Sequence, residues 1–529
     1  MKKNQLLGIS LLSGILLWAS WPASSFTFLI FFAWVPLLMV ADNVTKRISF
    51  FLYSFVALLI WNTLTTWWIW NSTDVGTIAA ILTNSLLMCI PCWGYHVFKN
   101  RFSKTIGYVS FIASWMLFEY VHLNWQISWP WLTLGNVFAQ QTQWVQWYEY
   151  TGVGGGTLWV LLVNIFIFDS IKKYNSQGLK SCIGNIFGVI ALLGLPLIFS
   201  LVISRKAAEN KIQHNVVIVQ PNIDPYQKFE SSSVASQIDR LIELSKSKLE
   251  SNTRLLIWPE TALAANVEIT EITSATIYQP IFNLLHQYPN LTLVTGIETY
   301  KVLGTEKTTA SARQSQQGIY YDSYNAAIAL HHKDLPQLYF KSKLVPGVET
   351  LPSFLHILAP VFEQFGGTTG GYAKDTASHV FKNNINPFIS APIICYESIY
   401  GAYVASYVQK GANLITIITN DGWWGNTPGH RQHLQYAKLR AIETRRFVAR
   451  SANTGISAVI DDYGNILESK GWNTSAVINH AIPITNGLTF YVRYGDYLFI
   501  IFSSLAILCI FWNFILWWKE MRNNKTKRQ

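Results

Sequence analysis

The chain has 529 residues, half of them hydrophobic and 15% aromatic, with only 13% charged and a formal net charge of +11. That balance excludes a wholly soluble protein and points to a membrane protein with a polar part. The positive charge does not call for nucleic acid, because many of the basic residues stand where topological anchors are needed.

Apolar runs of near-spanning length occupy about 6–22, 26–41, 51–68, 76–98, 106–123, 157–171 and 184–203, and one more occupies about 497–517. They predict a seven-helix membrane domain over 1–205 and a last helix with a basic tail over 491–529. Lys and Arg near helix ends are retained on the cytoplasmic side. Lys2 and Lys3, then Lys46 and Arg47, then Lys99, Arg101 and Lys104, then Lys172, Lys173 and Lys180 make every second connection basic. Residues 124–156 hold Trp125, Trp129, Trp131, Trp144 and Trp147 but no Lys or Arg. Both termini are therefore expected inside, and an odd number of spans sends the polar domain, 206–490, outside. A cleaved signal peptide over residues 1–22 fits the same stretch, with Ala19, Ser20, Ala23 and Ser24 as its small residues. Glu119 and His122, three apart in the fifth run, are expected to face protein or the outer interface, since a central charge costs about 2.5–3.5 kcal/mol on insertion scales.

The polar domain alternates β-rich runs with helical patterns. VVIV at 216–219 precedes a helix near 234–250, RLLIW at 254–258 a helix near 277–287, and LTLVTGI at 291–297 precedes YNAAIAL at 324–330. QLYFKSKLV at 337–345 and FISAPIIC at 388–395 follow, then a helix near 398–409, LITIIT at 414–419, a helix near 431–446, and FVARSAN with ISAVI. This alternation predicts an α/β layered domain.

Of five cysteines, Cys395 alone lies outside the apolar runs and their short connections, so it has no partner for a disulfide within the polar domain. A nucleophilic thiol and a small buried hydrophobe are its two explanations. Glu260 in WPET and Lys341 in YFKSKLVP also fall where strands end, the place where α/β folds present reactive groups. A carboxylate base, an ammonium for an oxyanion and a thiol nucleophile are what acyl transfer requires. Singly, each has a plainer role: a helix cap, a solvated lysine, a packing residue. His430 and His433 lack a patterned third ligand, so no metal is expected.

WPE, YxKxxLVP and a strand-end Cys, in that order, resemble the Glu-Lys-Cys triad of the nitrilase (carbon–nitrogen hydrolase) superfamily. With seven spans before the domain and one after, nearly the whole chain resembles the superfamily's membrane branch, the apolipoprotein N-acyltransferases. SWPWLTLGN at 128–136, VQPNI at 219–223, CYES at 395–398, NDGWWG at 420–425 and HRQHLQYAKLRAIE at 430–443 add to the likeness.

The resemblance implies an αββα sandwich outside the bacterial inner membrane, with Glu260 as general base, Lys341 stabilising the oxyanion and Cys395 as nucleophile. It also implies supporting roles for Glu349, Asn325, Tyr396 and Glu397, and substrate contacts for Trp423, Trp424 and Phe229. The implied reaction moves the sn-1 acyl chain of a phospholipid, typically phosphatidylethanolamine, through a Cys395 thioester to the α-amino group of a diacylglyceryl-cysteine on an apolipoprotein. A monomer in the lipid bilayer, with no cofactor and no nucleic acid, is expected. A membrane-anchored amidase or nitrilase would use the same triad with water as acceptor, and a scaffold or transporter would not need the thiol.

Two departures stand out. LVPGVE replaces the family's usual LVPFGE in the loop carrying Glu349, and Phe229 stands where many members have Trp. Leu351, Phe354, Leu355, Ile357, Leu358, Val361 and Phe362, followed by Gly366, Gly367, Gly370 and Gly371, read as a lid after Lys341 or as a buried helix.

Overall fold

A computed structural model describes residues 1–205, 212–226, 228–229, 234–350 and 371–526. The first apolar run forms α1 (Lys3–Ala19), and the second splits into a 3-10 turn over Thr27–Phe31 and the short α2 (Val35–Asn43), with Pro36 in its first turn. Then come α3 (Arg47–Thr66), α4 (Asp74–Arg101), α5 (Lys104–Asn124), α6 (Tyr148–Gln177) and α7 (Leu179–Ser204). Ser103 caps α5, its hydroxyl accepting from the Ile106 amide at 3.2 Å. Among the described residues six helices are long and apolar enough to cross a membrane; the first two of the eight expected spans are shorter.

Helix α1 is packed into the bundle. Ser13 Oγ donates to the Ala33 carbonyl at 2.5 Å, and Trp21 meets the Trp61 ring edge-on at 5.2 Å. Glu119 faces protein, as expected: its carboxylate accepts from Trp115 Nε1, the Leu134 amide and Thr157 Oγ1 at 2.7–2.9 Å. His122 pairs with Asn84 at 2.8 Å. Three donors satisfy the carboxylate where lipid would supply none.

The polar domain contains β1 (Gln213–Gln220), α8 (Val234–Lys246), β2 (Thr253–Ile257), β3 (Leu263–Glu268), α9 (Gln279–Gln287) and β4 (Thr292–Gly304). Next are β5 (Arg313–Gln314), β6 (Tyr320–Leu330), β7 (Gln337–Phe340), β8 (Ser390–Ile394), α10 (Gly401–Gln409) and β9 (Leu414–Thr419). It continues with α11 (Pro428–Thr444), β10 (Phe447–Ala452), β11 (Ala458–Ile460), β12 (Ile466–Ser469) and β13 (Ala476–Pro483), followed by α12 (Phe490–Tyr494) and the last long helix, α13 (Tyr497–Thr526).

Two sheets result, ordered β13-β1-β2-β4-β6-β5 with β3 and β7 alongside, and β12-β11-β10-β9-β8. Strands β1, β2 and β4 are parallel, as are β8, β9 and β10. Strand alternation builds the layers. Val216, Ile218, Leu255 and Ile257 face the second sheet, while Val217, Val219, Leu256 and Trp258 face α8 and α9. Helices α10 and α11 cover the far side of the second sheet, giving the expected αββα sandwich.

The sandwich docks on one end of the bundle. Trp21 Nε1 donates to Tyr436 Oη at 2.9 Å, Trp131 Nε1 to Gln432 Oε1 at 2.7 Å, and Asn71 Nδ2 to the Trp424 carbonyl at 2.8 Å. Basic connections occupy the opposite end, where Lys99 pairs with Asp42 at 2.9 Å and Arg101 with Glu520 at 2.8 Å. Lys104 and Lys172 likewise pair with Asp169 and Asp42.

Candidate active site

Strand β2 ends at Ile257, and the turn that follows carries Glu260. Thr261, next in line, has φ +47°, a left-handed conformation uncommon outside glycine. Strand β4 passes close beneath this turn only because residue 296 is glycine: a Cβ there would lie 2.3 Å from the Thr261 nitrogen and 2.6 Å from Glu260 Cα.

Lys341 follows β7, and its amide donates to the Asn325 carbonyl on β6 at 2.9 Å. Its Nζ, almost fully buried, reaches Glu260 Oε1 at 3.2 Å and Glu349 Oε1 at 2.8 Å. Asn325 Nδ2 donates to the same two oxygens, at 2.9 and 3.1 Å. Glu260 Oε2 accepts the Asn420 amide at 3.1 Å, so this carboxylate ties the end of one sheet to the other. Burial alone would lower the Lys341 ammonium; the Glu260 and Glu349 charges outweigh it and hold it well above the ordinary lysine range.

The LVPGVE departure does not displace Glu349. Gly347 adopts φ +79°, its amide donates to the Thr350 carbonyl at 2.8 Å, and the Val345 amide closes on Glu349 Oε2 at 2.8 Å. Gly347, one position earlier than the glycine of LVPFGE, supplies the turn here.

Cys395 ends β8 with φ +49°, a strained setting for a residue that carries a side chain. The residue is 9% exposed. Burial, then the Glu260 charge, push the thiol far above the ordinary cysteine range, against the opposing pull of Lys341. That balance favours the protonated thiol over the thiolate.

Glu397 clamps the two strand ends together. Its Oε1 accepts the amides of Ser342 at 2.7 Å and Lys343 at 3.1 Å, and Oε2 accepts that of Ile394 at 2.9 Å. Burial pushes this carboxyl up to about 7, against those donors. Tyr396 and Tyr400 bind Ser128 from the bundle side, through its carbonyl at 2.8 Å and its hydroxyl at 2.7 Å. Trp424 lies 4.8 Å from the Trp68 ring and 5.7 Å from Trp131, whereas Trp423 meets Tyr226 at 5.3 Å. Phe229 is exposed, and among the described residues no ring packs against it. The expected lid at 351–372 lies outside the described residues, apart from Gly371 and Tyr372.

Sequence reasoning passed over two groups. Behind Cys395, His433 Nε2 sits 3.2 Å from the Cys395 carbonyl and 2.8 Å from Ser398 Oγ, while its Nδ1 faces Asp421 at 2.9 Å. Arg450 completes this buried row, 2.8 Å from Asp421. Beside Glu260, the buried Lys228 donates to the Glu260 carbonyl and to Thr261 Oγ1. His433 was visible in the sequence only as a discounted metal ligand, and Lys228 carried no motif signal at all.

Residues 215–486 match the carbon-nitrogen hydrolase family, the class defined by this sandwich and its Glu, Lys and Cys. Residues 13–166 match the apolipoprotein N-acyltransferase N-terminal domain. The chain is 30% identical over 501 residues to the apolipoprotein N-acyltransferase of Chlorobaculum tepidum, with 92% of each chain covered. The namesake from Geobacter metallireducens is 25% identical over 507 residues, covering 92% of this chain and 91% of its own. The protein belongs to the apolipoprotein N-acyltransferase family.

Proposed function

We propose that the protein transfers the sn-1 acyl chain of a phospholipid, phosphatidylethanolamine being the expected donor, to the α-amino group of a diacylated apolipoprotein, with Cys395 as the acyl carrier. The observation that carries this reading is the buried Cys395 thiol under the influence of the Glu260 carboxylate and the Lys341 ammonium, with Asp421 behind it, on a loop packed against membrane helices. As the thiol attacks the sn-1 ester carbonyl, its proton passes to Glu260 and a C–S bond forms. The tetrahedral oxyanion is balanced by the Lys341 ammonium. Collapse breaks the ester C–O bond, and Glu260 returns the proton to the departing lysophospholipid alkoxide. The amine of the second substrate then attacks the thioester carbonyl and Glu260 takes a proton from it; collapse forms the amide and breaks the C–S bond, and Glu260 returns the proton to the sulfur.

Glu349 and Asn325 fix Glu260 and Lys341, and Glu397 fixes the loops bearing Lys341 and Cys395. The α/β domain faces the periplasmic side of the inner membrane in this reading, a side supported by the ion-paired basic connections at the opposite end of the bundle.

Mass spectrometry tests it. Given phospholipid alone, the protein gains one acyl mass on the peptide containing Cys395, removable by neutral hydroxylamine, and Cys395→Ala gains none. A diacylated lipoprotein added next acquires that acyl group on its N-terminus. Release of the acyl group to water in its presence would favour a hydrolase, and N-acylation persisting in Cys395→Ala would end the covalent reading.

A further inference from the structure

The Lys341 ammonium is shared by two carboxylates, Glu260 and Glu349, so the cluster is one positive charge short. A second cation stands on the other side of Glu260. Lys228 is fully buried, and its Nζ donates to the Glu260 carbonyl at 2.6 Å and to Thr261 Oγ1 at 2.8 Å. Both acceptors belong to the strained turn that aims the Glu260 side chain. The Lys228 main chain is held in turn by Gln237 Nε2, 3.0 Å from its carbonyl. We propose that Lys228 is a positioning residue for Glu260, fixing the turn that presents the carboxylate and supplying the second positive charge that balances it.

The proposal rests on the reading of Glu260 as the base. An uncharged donor would satisfy the two oxygens equally well, and burying an ammonium is costly unless a charge faces it. Two do: Glu260 and Glu298 both favour the charged form, although burial, the larger influence, lowers the Lys228 ammonium to about 8. Glu298 is itself engaged by Tyr372 Oη at 2.9 Å. Around Glu260 the remaining charged or titrating groups are Lys341, its partner Glu349, and Cys395, with Asp421 acting on the thiol from behind. Removing the Lys228 charge therefore leaves the Glu260 turn without its buried ammonium, and proton transfer from the thiol to Glu260 is slowed.

The test uses the full-length protein in detergent and reads the rate of Cys395 alkylation by iodoacetamide from pH 5 to 9, by peptide mass. Lys228→Gln keeps a donor and drops the charge, and Lys228→Arg keeps the charge. Alkylation of Cys395 is expected to slow about tenfold in Lys228→Gln across the profile, with the Lys228→Arg profile lying on that of the wild type. Folding of each variant is followed by thermal unfolding. Coincident profiles for Lys228→Gln and wild type overturn the proposal. Should Lys228→Gln fail to fold, Lys228→Met is read in its place; if neither folds while Lys228→Arg does, the charge serves the fold rather than the base, and the proposal falls. Phospholipid loading of the same preparations separates the two readings: a wild type that alkylates normally but takes no acyl group defeats the proposed function and leaves the Lys228 result standing.

Discussion

Asn325 and Lys341 are main-chain neighbours whose side chains donate to the same pair of carboxylate oxygens, Glu260 Oε1 at 2.9 and 3.2 Å and Glu349 Oε1 at 3.1 and 2.8 Å. Two donors and two acceptors close a square, and no corner can turn without breaking two bonds. Asn325→Ala removes one donor from each carboxylate. Hydrogen bonds to charged groups contribute about 1.5–3 kcal/mol, so acyl loading of Cys395 is expected to fall roughly 10- to 100-fold, read in single-turnover assays. Loading at the wild-type rate would show the square to be dispensable.

Lys341→Met tests the ammonium. The variant binds phospholipid but forms the thioester about 10²–10³-fold more slowly, the usual cost of a lost oxyanion donor. Because the folded Lys341 is held above its unfolded value, the ammonium persists through neutral and mildly alkaline pH, and the wild-type rate shows no inflection from it below about pH 10. Burial and the Glu260 charge also raise the Cys395 thiol, which favours its protonated form. The thiolate absorbance of wild type minus Cys395→Ser is expected to be absent at pH 7, and its presence would replace concerted deprotonation with a preformed ion pair.

Gly296→Ala asks whether the close approach of β4 to the Glu260 turn matters. The added methyl meets backbone atoms at 2.3 and 2.6 Å, which cannot rotate away. Overpacking of this kind costs about 1–3 kcal/mol, seen as a lower unfolding midpoint, and acyl loading is expected to fall with it because the displaced atoms belong to the turn that carries Glu260. An unshifted midpoint would mean that the turn yields freely.

Orientation is tested with single cysteines at exposed positions. Ser247→Cys, on the α/β domain, is expected to react with an impermeant maleimide in cells with a permeabilised outer membrane, while Ser176→Cys, at the basic end of the bundle, reacts only after lysis. The opposite pattern would turn the protein over.

What could be read from the residues beforehand follows from how each signal arises. Buried strands such as LITIIT and the Val216–Val219 run declare themselves by unbroken apolar character. Strands β3 and β12 did not, because they are short, β3 part buried and β12 largely exposed, and β13 was missed because Asn479 and His480, on opposite faces, interrupt its apolar run. The gathering of Glu260, Lys341 and Cys395 was foreseen because all three end strands. The row His433–Asp421–Arg450 was not, since its members come from a helix, a turn and a strand brought together only by the packing of α11 on the second sheet. Lys228 escaped for a related reason: a lysine in a polar stretch reads as solvated, and only the folded turn takes it out of water. The second apolar run appeared to be one span, but it breaks where Pro36 starts a new helix.

Tyr396, Ile399 and Tyr400, on the turn that begins at Cys395, belong to the same apolar cluster as Trp34, Trp115 and Phe138 of the bundle. That continuity sets an order of biogenesis. Helices α1 to α7 precede the sandwich in the chain, so synthesis makes the platform before the Cys395 turn that rests on it. A sandwich released without that platform would expose its aromatic underside and leave the Cys395 turn unsupported.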